Sequence, residues 1–253
     1  MTGASLPALL FGAGVLAGIV GTAGGITSLV SYPALLLAGV PALQANVVNI
    51  IAIVACWPGA ALASRPELAG RGAWLGRWSM VAALGGAAGA VLLLSTPTGL
   101  FSQVVPFLVA AGSLALLCQP RLRSLGTSSS GSSWGLLLLP CALVALSAYN
   151  GYFGAGSGVL LLTLMLVAVE PRIAQANALK NMLLGPSEIT ASALIAILSP
   201  VDWAAVAPLA AGLFLGSTIG PWVARRTPAA VLRWLIALAG LGLAVHLWVD
   251  PAM

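Results

Sequence analysis

Two glycine clusters lie inside apolar segments that are too long for one membrane-spanning helix. The clusters occupy residues 21–25 and 151–158, within apolar segments 7–38 and 134–169. Because a spanning helix needs only about 20 residues and glycine is a weak helix former, each segment is predicted to fold as two short helices that meet at a break. The two segments are termed the broken hairpins.

Composition places the chain in a lipid bilayer. Hydrophobic residues make up 60% of the sequence and charged residues 6%, whereas about a quarter of the residues of a soluble domain are charged. The predicted fold class is therefore an all-α integral membrane protein. Besides the broken hairpins, apolar segments of about the spanning length fall at residues 43–63, 74–94, 99–117, 174–198, 203–223 and 229–249.

The second half of the chain repeats the first. Gly21 matches Gly151 at an offset of 130 residues, and Asn46 matches Asn177 at an offset of 131 after one inserted residue. A stretch rich in Ser and Gly separates the copies and is predicted to be a flexible linker. Each repeat is expected to contain a broken hairpin and three transmembrane helices. The predicted units are residues 1–120 (first repeat), 121–133 (cytoplasmic linker) and 134–253 (second repeat).

The positions of the arginines predict the topology, because cytoplasmic connections of membrane proteins are enriched in Lys and Arg. All four arginine-bearing sites face the cytoplasm only if each broken hairpin returns to the side from which it entered. Equivalent turns of the two copies then lie on opposite sides, which predicts inverted repeats and extracytoplasmic termini. The sites are Arg65, Arg71 and Arg77; Arg121 and Arg123; Arg172; and Arg225 and Arg226.

The breaks are predicted to form an anion site, because helix N-termini and free backbone amides bind anions. Within the breaks, the proposed hydrogen-bond donors are the backbone amides of Gly24, Gly25, Gly156 and Ser157. Alternatively, the glycines only allow close helix crossing, as small residues do in membranes. The predicted substrate-binding residues are Thr22, Gly24, Gly25, Asn46, Asn49, Asn150, Gly156, Ser157, Asn177, Lys180 and Asn181.

Charged residues within the apolar segments are candidates for function. Lys180 is the only lysine of the chain and shares a helical face with Asn177 and Asn181; alternatively its amine extends to the lipid headgroups. Glu188 falls near the middle of a predicted span, where an ionisable residue suggests a proton carrier or a partner for Lys180. Alternatively, Gly185 and the proline after it open the helix, so that Glu188 faces water.

The remaining acidic residues and cysteines are given structural interpretations. Glu67, Glu170, Asp202 and Asp250 fall in connections or at the end of the chain and are predicted to be solvated. Cys56, Cys118 and Cys141 lack the spacing of a metal site or redox pair and are predicted to pack in the core. The pattern of residues predicts no catalytic group, metal site or cofactor, and therefore no enzyme. It does not indicate a nucleic-acid partner.

The paired motifs resemble those of the TauE/SafE family of sulfite exporters. They are Gly-x-x-Gly-Gly at residues 21–25 with Tyr-Pro-Ala-Leu-Leu-Leu-Ala-Gly-Val-Pro at 32–41, and Gly-Tyr-Phe-Gly-Ala-Gly-Ser-Gly at 151–158 with Ala-Asn-Ala-Leu-Lys-Asn at 176–181. The resemblance implies a transporter of the bacterial or archaeal cytoplasmic membrane that moves sulfite or small organic sulfur anions such as sulfonates.

Two mechanisms remain open from the sequence. Inverted repeats favour a secondary transporter that alternates access to a shared site, with proton coupling through Glu188. The ends of the short helices at the two breaks could instead line a passive anion channel. The expected partners are a small anion and the lipid bilayer; a homodimer is compatible with the sequence, which does not fix the oligomeric state.

Overall fold

The structure, a computed structural model, describes residues 5–128, 133–224 and 229–249. All regular elements of these ranges are helices, and short turns connect them. They are α1 (Ser5–Gly24), α2 (Ser28–Leu37), α3 (Ala42–Ile53), α4 (Cys56–Ser64), a 3-10 helix (Arg65–Leu68), α5 (Gly72–Ser95), α6 (Thr98–Ser128), α7 (Ser133–Tyr152), α8 (Ser157–Ala168), α9 (Ile173–Leu198), α10 (Trp203–Ala224) and α11 (Ala229–Val249).

The all-α membrane fold is confirmed. Within the described ranges, five helical stretches are long and apolar enough to cross a membrane. By contrast, α2 has 10 residues and α8 has 12, which corresponds to roughly 15–18 Å at ~1.5 Å per residue, about half of a bilayer core. The five spanning stretches are Ala42–Leu62, Gly72–Ser95, Thr98–Cys118, Ile173–Leu198 and Trp203–Gly220.

Both predicted breaks are present. The first lies between the end of α1 at Gly24 and the start of α2 at Ser28, and the second between the end of α7 at Tyr152 and the start of α8. Gly156 precedes α8 with a φ of 74°, a left-handed conformation that is costly for residues with a Cβ. The Tyr149 hydroxyl donates a hydrogen bond of 2.6 Å to the Ala155 carbonyl. The left-handed conformation of Gly156 and the hydrogen bond from Tyr149 therefore fix the backbone conformation of the second break.

A third break divides α3 from α4, where an uninterrupted helix was expected over residues 43–63. Pro58 has no N–H, and its ring clashes with a helical carbonyl four residues earlier, at Val54. The chain there makes tight turns, with the amides of Ala55 and Trp57 donating to the carbonyls of Ala52 and Val54 at 3.1 Å. The equivalent helix of the second half, α9, is continuous although it contains a proline.

Helices from different halves of the chain pack at backbone distance. The helix α1 lies along α10, and α7 lies along α5. A Cβ on Gly14 of α1 would overlap the Leu209 carbonyl of α10, and a Cβ on Gly89 of α5 would overlap the Ala148 carbonyl of α7. Small residues at such crossings are typical of membrane helices. The two pairs are equivalent under the repeat, whereas the inversion of one copy relative to the other stays a prediction.

The predicted linker is helical over its first part. The helix α6 continues to Ser128, so residues 121–128 belong to it, and residues 129–132 lie outside the described ranges. The repeat boundaries stay a prediction. Arg225 and Arg226, on which the topology argument depends, and Asp250 also lie outside the described residues.

Glu170 is buried, so the expectation of a solvated carboxylate is wrong. Its side chain is 4% exposed and accepts from Arg71 Nη2 at 2.7 Å and from Arg172 Nε at 2.8 Å. The hydrogen bond from Arg172, followed by the positive charges of both arginines, holds the pKa of Glu170 below its usual value. Two arginines from different connections neutralise the buried charge, which places both connections at the same end of the molecule.

The cysteines also differ from expectation. Cys118 and Cys141 are exposed at helix surfaces, so their predicted place in the core is wrong. In a membrane protein such surfaces face lipid, where an apolar thiol carries no desolvation cost. Cys56 is half-buried.

Candidate functional site

The two breaks are in contact. A Cβ added to Gly158, in the first turn of α8, would lie 2.5 Å from the Cα atom of Gly25. Conversely, a Cβ on Gly25, whose φ is 73°, would lie 2.7 Å from the Cα of Gly158. No side chain larger than hydrogen fits at either position, so the backbones of the two broken hairpins touch directly.

A cavity of about 60 Å³ lies beside this contact. By the same measure a water molecule needs roughly 10–15 Å³, so the cavity has room for several waters or one small ion. The breaks contribute one part of its wall: Gly21, Thr22, Gly25, Thr27, Ser28, Gly154, Ser157 and Gly158. The helices around them contribute the rest: Ile50, Ile53, Cys56, Trp57, Ala60, Asn150, Phe153, Asn181, Leu184 and Glu188.

One face of α9 supplies the charged part of the wall. Asn181, Leu184 and Glu188 are spaced by three and four residues, which places them on the same face of a helix, and all three line the cavity. The helix α4, which packs against α9, contributes Cys56, Trp57 and Ala60. The carboxyl group of Glu188 therefore shares the cavity with both breaks.

Six of the predicted site residues line the cavity. Asn150 is held in place by two contacts: the Ser157 hydroxyl donates to its Oδ1 at 2.6 Å, and its Nδ2 donates to the Ser187 hydroxyl at 3.3 Å. The Thr22 hydroxyl donates to the Gly18 carbonyl of its own helix at 2.6 Å. The six are Thr22, Gly25, Asn150, Ser157, Asn181 and Glu188.

The side-chain amides of Asn46 and Asn49, in the first half of the chain, connect helices around the cavity by hydrogen bonds. Asn46 Nδ2 donates to the Tyr152 carbonyl at 2.8 Å, which joins α3 to the end of α7. Asn49 accepts from the Ser31 hydroxyl and donates to the Ser28 hydroxyl at 3.2 Å. Neither asparagine is among the cavity-lining residues. Their role in this conformation is to position α2 and α7, and through Ser28 the cavity wall.

The three predicted site residues of α9, Asn177, Lys180 and Asn181, do not all lie on the cavity wall. Lys180 is fully buried, so the alternative in which its amine reaches the headgroups is wrong. Asn181 lines the cavity, whereas Lys180 and Asn177 are not among its lining residues. Lys180 lies close enough to Glu188 to interact with it electrostatically. The lysine can therefore affect the cavity through Glu188 without forming its wall.

The backbone amides of the breaks are partly engaged. The Gly25 amide donates to the Gly21 carbonyl at 2.7 Å, and the Ser157 amide donates to the Gly154 carbonyl at 3.1 Å. Gly24 is the last residue of α1, and Gly156 is not among the residues that line the cavity. Two of the four proposed backbone donors, the amides of Gly25 and Ser157, are therefore engaged within the breaks in this conformation.

Trp57 and Cys56 were not among the predicted site residues, yet each lines the cavity. Trp57 is the repeat counterpart of Glu188 at the offset of 131 residues. Since the second copy places Glu188 in the shared cavity, the repeat alignment contained the signal that would have identified Trp57.

Comparison with known proteins agrees with the motifs. The family model described as "Sulfite exporter TauE/SafE" matches residues 7–247. A "Probable membrane transporter protein ORF9" from Sinorhizobium sp is 28% identical over 97% of this chain and 94% of its own length. A "Probable membrane transporter protein" from Haemophilus influenzae is 27% identical over 93% of this chain and 92% of its own. No solved structure gives a significant match.

The family model spans both broken hairpins and the helices that complete the cavity between them. The chain therefore belongs to the TauE/SafE family of sulfite exporters.

Proposed function

We propose that this protein is a secondary transporter that exports sulfite, or a related small sulfur-containing anion such as a sulfonate or thiosulfate, across the cytoplasmic membrane. The observation that carries the proposal is the cavity at the contact between the two breaks. Its position matches the site of transporters built from broken helices. The family description supports the substrate class, and both relatives carry the name of membrane transporters.

The anion is held by the polar side chains of the cavity. Asn181 Nδ2 donates one N–H to the Ser64 hydroxyl at 3.4 Å and retains a second N–H for the anion. The hydroxyls of Thr27 and Ser28 lie on the wall formed by the first break. The volume of about 60 Å³ suits a small oxyanion better than an aromatic sulfonate. Asn150 and Ser157 fix each other's orientation, which presents the second break to the ligand in one arrangement.

Access alternates through movement of the two repeats against each other. The crossings of α1 with α10 and of α5 with α7 are made by small residues, whose smooth surfaces allow rigid helices to shift without repacking large side chains. The cavity lies where both repeats contribute wall residues, so a rocking movement would change its exposure.

Transport is proposed to be coupled to protons through Glu188. A carboxyl group in a spanning helix is costly to retain and marks a functional pathway, and this one lines the cavity. In proteoliposomes, a pH gradient should drive sulfite flux by wild type, and Glu188→Gln should abolish the drive. Glu67→Gln, which changes a carboxylate outside the cavity, is the matched control, and its sulfite flux should still respond to the pH gradient. Flux in wild type that does not respond to the gradient refutes the coupling.

The proposed function itself is tested by uptake of labelled sulfite. Purified protein in proteoliposomes should take up sulfite faster than protein-free liposomes, and Asn181→Ala should lower the rate. Gln103→Ala removes an exposed amide from α6 and should leave the rate unchanged. Equal rates for wild type and protein-free liposomes would falsify the proposal.

The same preparation separates a transporter from a passive channel. Accumulation of sulfite against its own concentration gradient, driven by protons, is expected from a coupled transporter. Flux that only dissipates the sulfite gradient, at every pH gradient applied, identifies a channel.

A further inference from the structure

We propose that the cavity wall formed by α3 and α4, and Ile50 in particular, selects anions that carry three oxygens on one side of a sulfur atom and no oxygen on the other. Such a wall accepts sulfite, sulfonates and thiosulfate and rejects sulfate. The inference rests on the proposed function, because it concerns which anions the same cavity binds.

The two halves of the chain contribute equivalent positions to the cavity. Residues of α3 and α4 line it from the first half, and residues of α9 line it from the second. Both α3 and α4 pack against α9. Three pairs of lining residues correspond at the repeat offset of 131 residues: Ile50 and Asn181, Ile53 and Leu184, and Trp57 and Glu188.

These equivalent walls differ in polarity. The wall of α9 carries the side-chain amide of Asn181 and the carboxyl group of Glu188. The wall of α3 and α4 carries neither an amide, a hydroxyl nor a charged group. Its members are Ile50, Ile53, Cys56, Trp57 and Ala60.

The few polar atoms of the α3–α4 wall are directed elsewhere. The indole nitrogen of Trp57 exposes less than 1 Å² and lies where a Cβ on Gly185 of α9 would overlap it, so it does not face the cavity. The Ile50 carbonyl accepts a hydrogen bond of 2.9 Å from the Ser192 hydroxyl. The Cys56 thiol, a weak donor, lies 3.7 Å from a carbonyl of α10. This wall therefore offers an occupant no strong hydrogen-bond donor.

An anion pays a desolvation cost wherever a charged oxygen meets a surface without donors. Sulfite, sulfonates and thiosulfate carry three oxygens on a sulfur whose fourth position holds a lone pair, a carbon or a second sulfur. Since sulfur is a weak acceptor, this fourth position can face Ile50 at little cost. Sulfate has oxygens at all four positions, so when three of them contact the polar walls the fourth faces the apolar one.

Competition for labelled sulfite, bound to the full-length protein in detergent at constant ionic strength, tests the inference. Sulfate and thiosulfate are the informative competitors, because both are tetrahedral dianions. Thiosulfate is the larger, so a cavity that only limits size would favour sulfate. Wild type should instead bind thiosulfate at least about tenfold more tightly, which is the effect of one charged oxygen left without a donor.

Two replacements of Ile50 isolate the effect of the wall. Ile50→Asn introduces the amide that the second half has at Asn181, and it should strengthen sulfate binding relative to thiosulfate roughly tenfold. Ile50→Leu is the matched control, because leucine has nearly the shape of asparagine without its polar atoms, and it should keep the wild-type preference. Ile53→Asn and Ile53→Leu repeat the comparison at the next lining position of α3, so that the result does not depend on the folding of one variant.

The outcomes separate this inference from the proposed function. Sulfate that competes as well as thiosulfate in wild type overturns the inference, and so do asparagine variants that bind sulfite but keep the wild-type preference. Both results leave the proposed function intact. If wild type binds no labelled sulfite, and neither thiosulfate nor methanesulfonate raises its Tm, the proposed function and this inference both fail.

Discussion

Replacing Gly25 by alanine tests whether the two breaks touch. Two effects act at this position. The φ of 73° is left-handed, which costs an alanine about 1–2 kcal/mol. In addition, the new Cβ would lie 2.7 Å from backbone atoms of Gly158, and overpacking of this kind costs about 1–3 kcal/mol. The expected loss of stability is therefore roughly 2–5 kcal/mol.

Two glycines elsewhere in the chain separate these effects. Gly39 has a φ of 84° and no atom within 4 Å of the position that a Cβ would take, so Gly39→Ala meets only the backbone strain. Gly12 lies in α1 with no positive φ and no atom within the same distance, so Gly12→Ala meets neither effect. The latter replacement should be neutral or stabilising by up to about 1 kcal/mol.

Thermal unfolding in detergent, followed by the helical circular dichroism signal, measures the series. For a chain of this size about 1 kcal/mol corresponds to roughly 2–4 °C in Tm. Gly25→Ala should therefore unfold roughly 2–12 °C below Gly39→Ala, which should itself unfold below Gly12→Ala. Equal Tm values for Gly25→Ala and Gly39→Ala would show that the clash with Gly158 does not exist, and the contact between the breaks would be refuted.

Two further predictions concern buried charges. Glu170→Gln should lower stability by about 1–2 kcal/mol at neutral pH, because charge-assisted hydrogen bonds to the partly exposed Arg71 and the exposed Arg172 are lost. Since the folded-state pKa of Glu170 is lowered from its ordinary 4.5, this contribution is present above that pH and is lost as the pH falls below it. Wild type and Glu170→Gln should therefore converge in Tm under acidic conditions; a constant difference contradicts the ion pair. Lys180→Met removes a fully buried charge at similar volume and should lower sulfite uptake at least about tenfold while the protein stays folded. Uptake equal to wild type removes Lys180 from the transport mechanism.

The breaks could be predicted because their causes are local in sequence. Segments 7–38 and 134–169 exceed the length of one span, and each contains a glycine cluster. The division between α3 and α4 was missed although Pro58 was visible. The reason is physical, because α9 accommodates Pro186 without breaking, so the same residue type gives different outcomes in different packing environments.

The parts of the site that could not be predicted depend on contacts between distant residues. Glu170 is buried because Arg71, 99 residues earlier in the chain, reaches it, and no local pattern encodes that meeting. The helical spacing of α9 predicted that Asn177, Lys180 and Asn181 share one face, but it could not show that Asn181 alone of the three lines the cavity. That distinction depends on which neighbouring helix each face contacts.

The cavity between the two breaks is proposed as the route of the anion, and Cys56 on its wall allows a direct test. Proteoliposomes containing the protein with Cys118→Ser and Cys141→Ser are treated with N-ethylmaleimide, washed, and assayed for uptake of labelled sulfite. Alkylation of Cys56 should fill the cavity and abolish uptake, whereas the variant that also carries Cys56→Ser should transport before and after treatment. If Cys56 is shown by mass spectrometry to be alkylated and uptake continues at the untreated rate, the anion does not pass through this cavity.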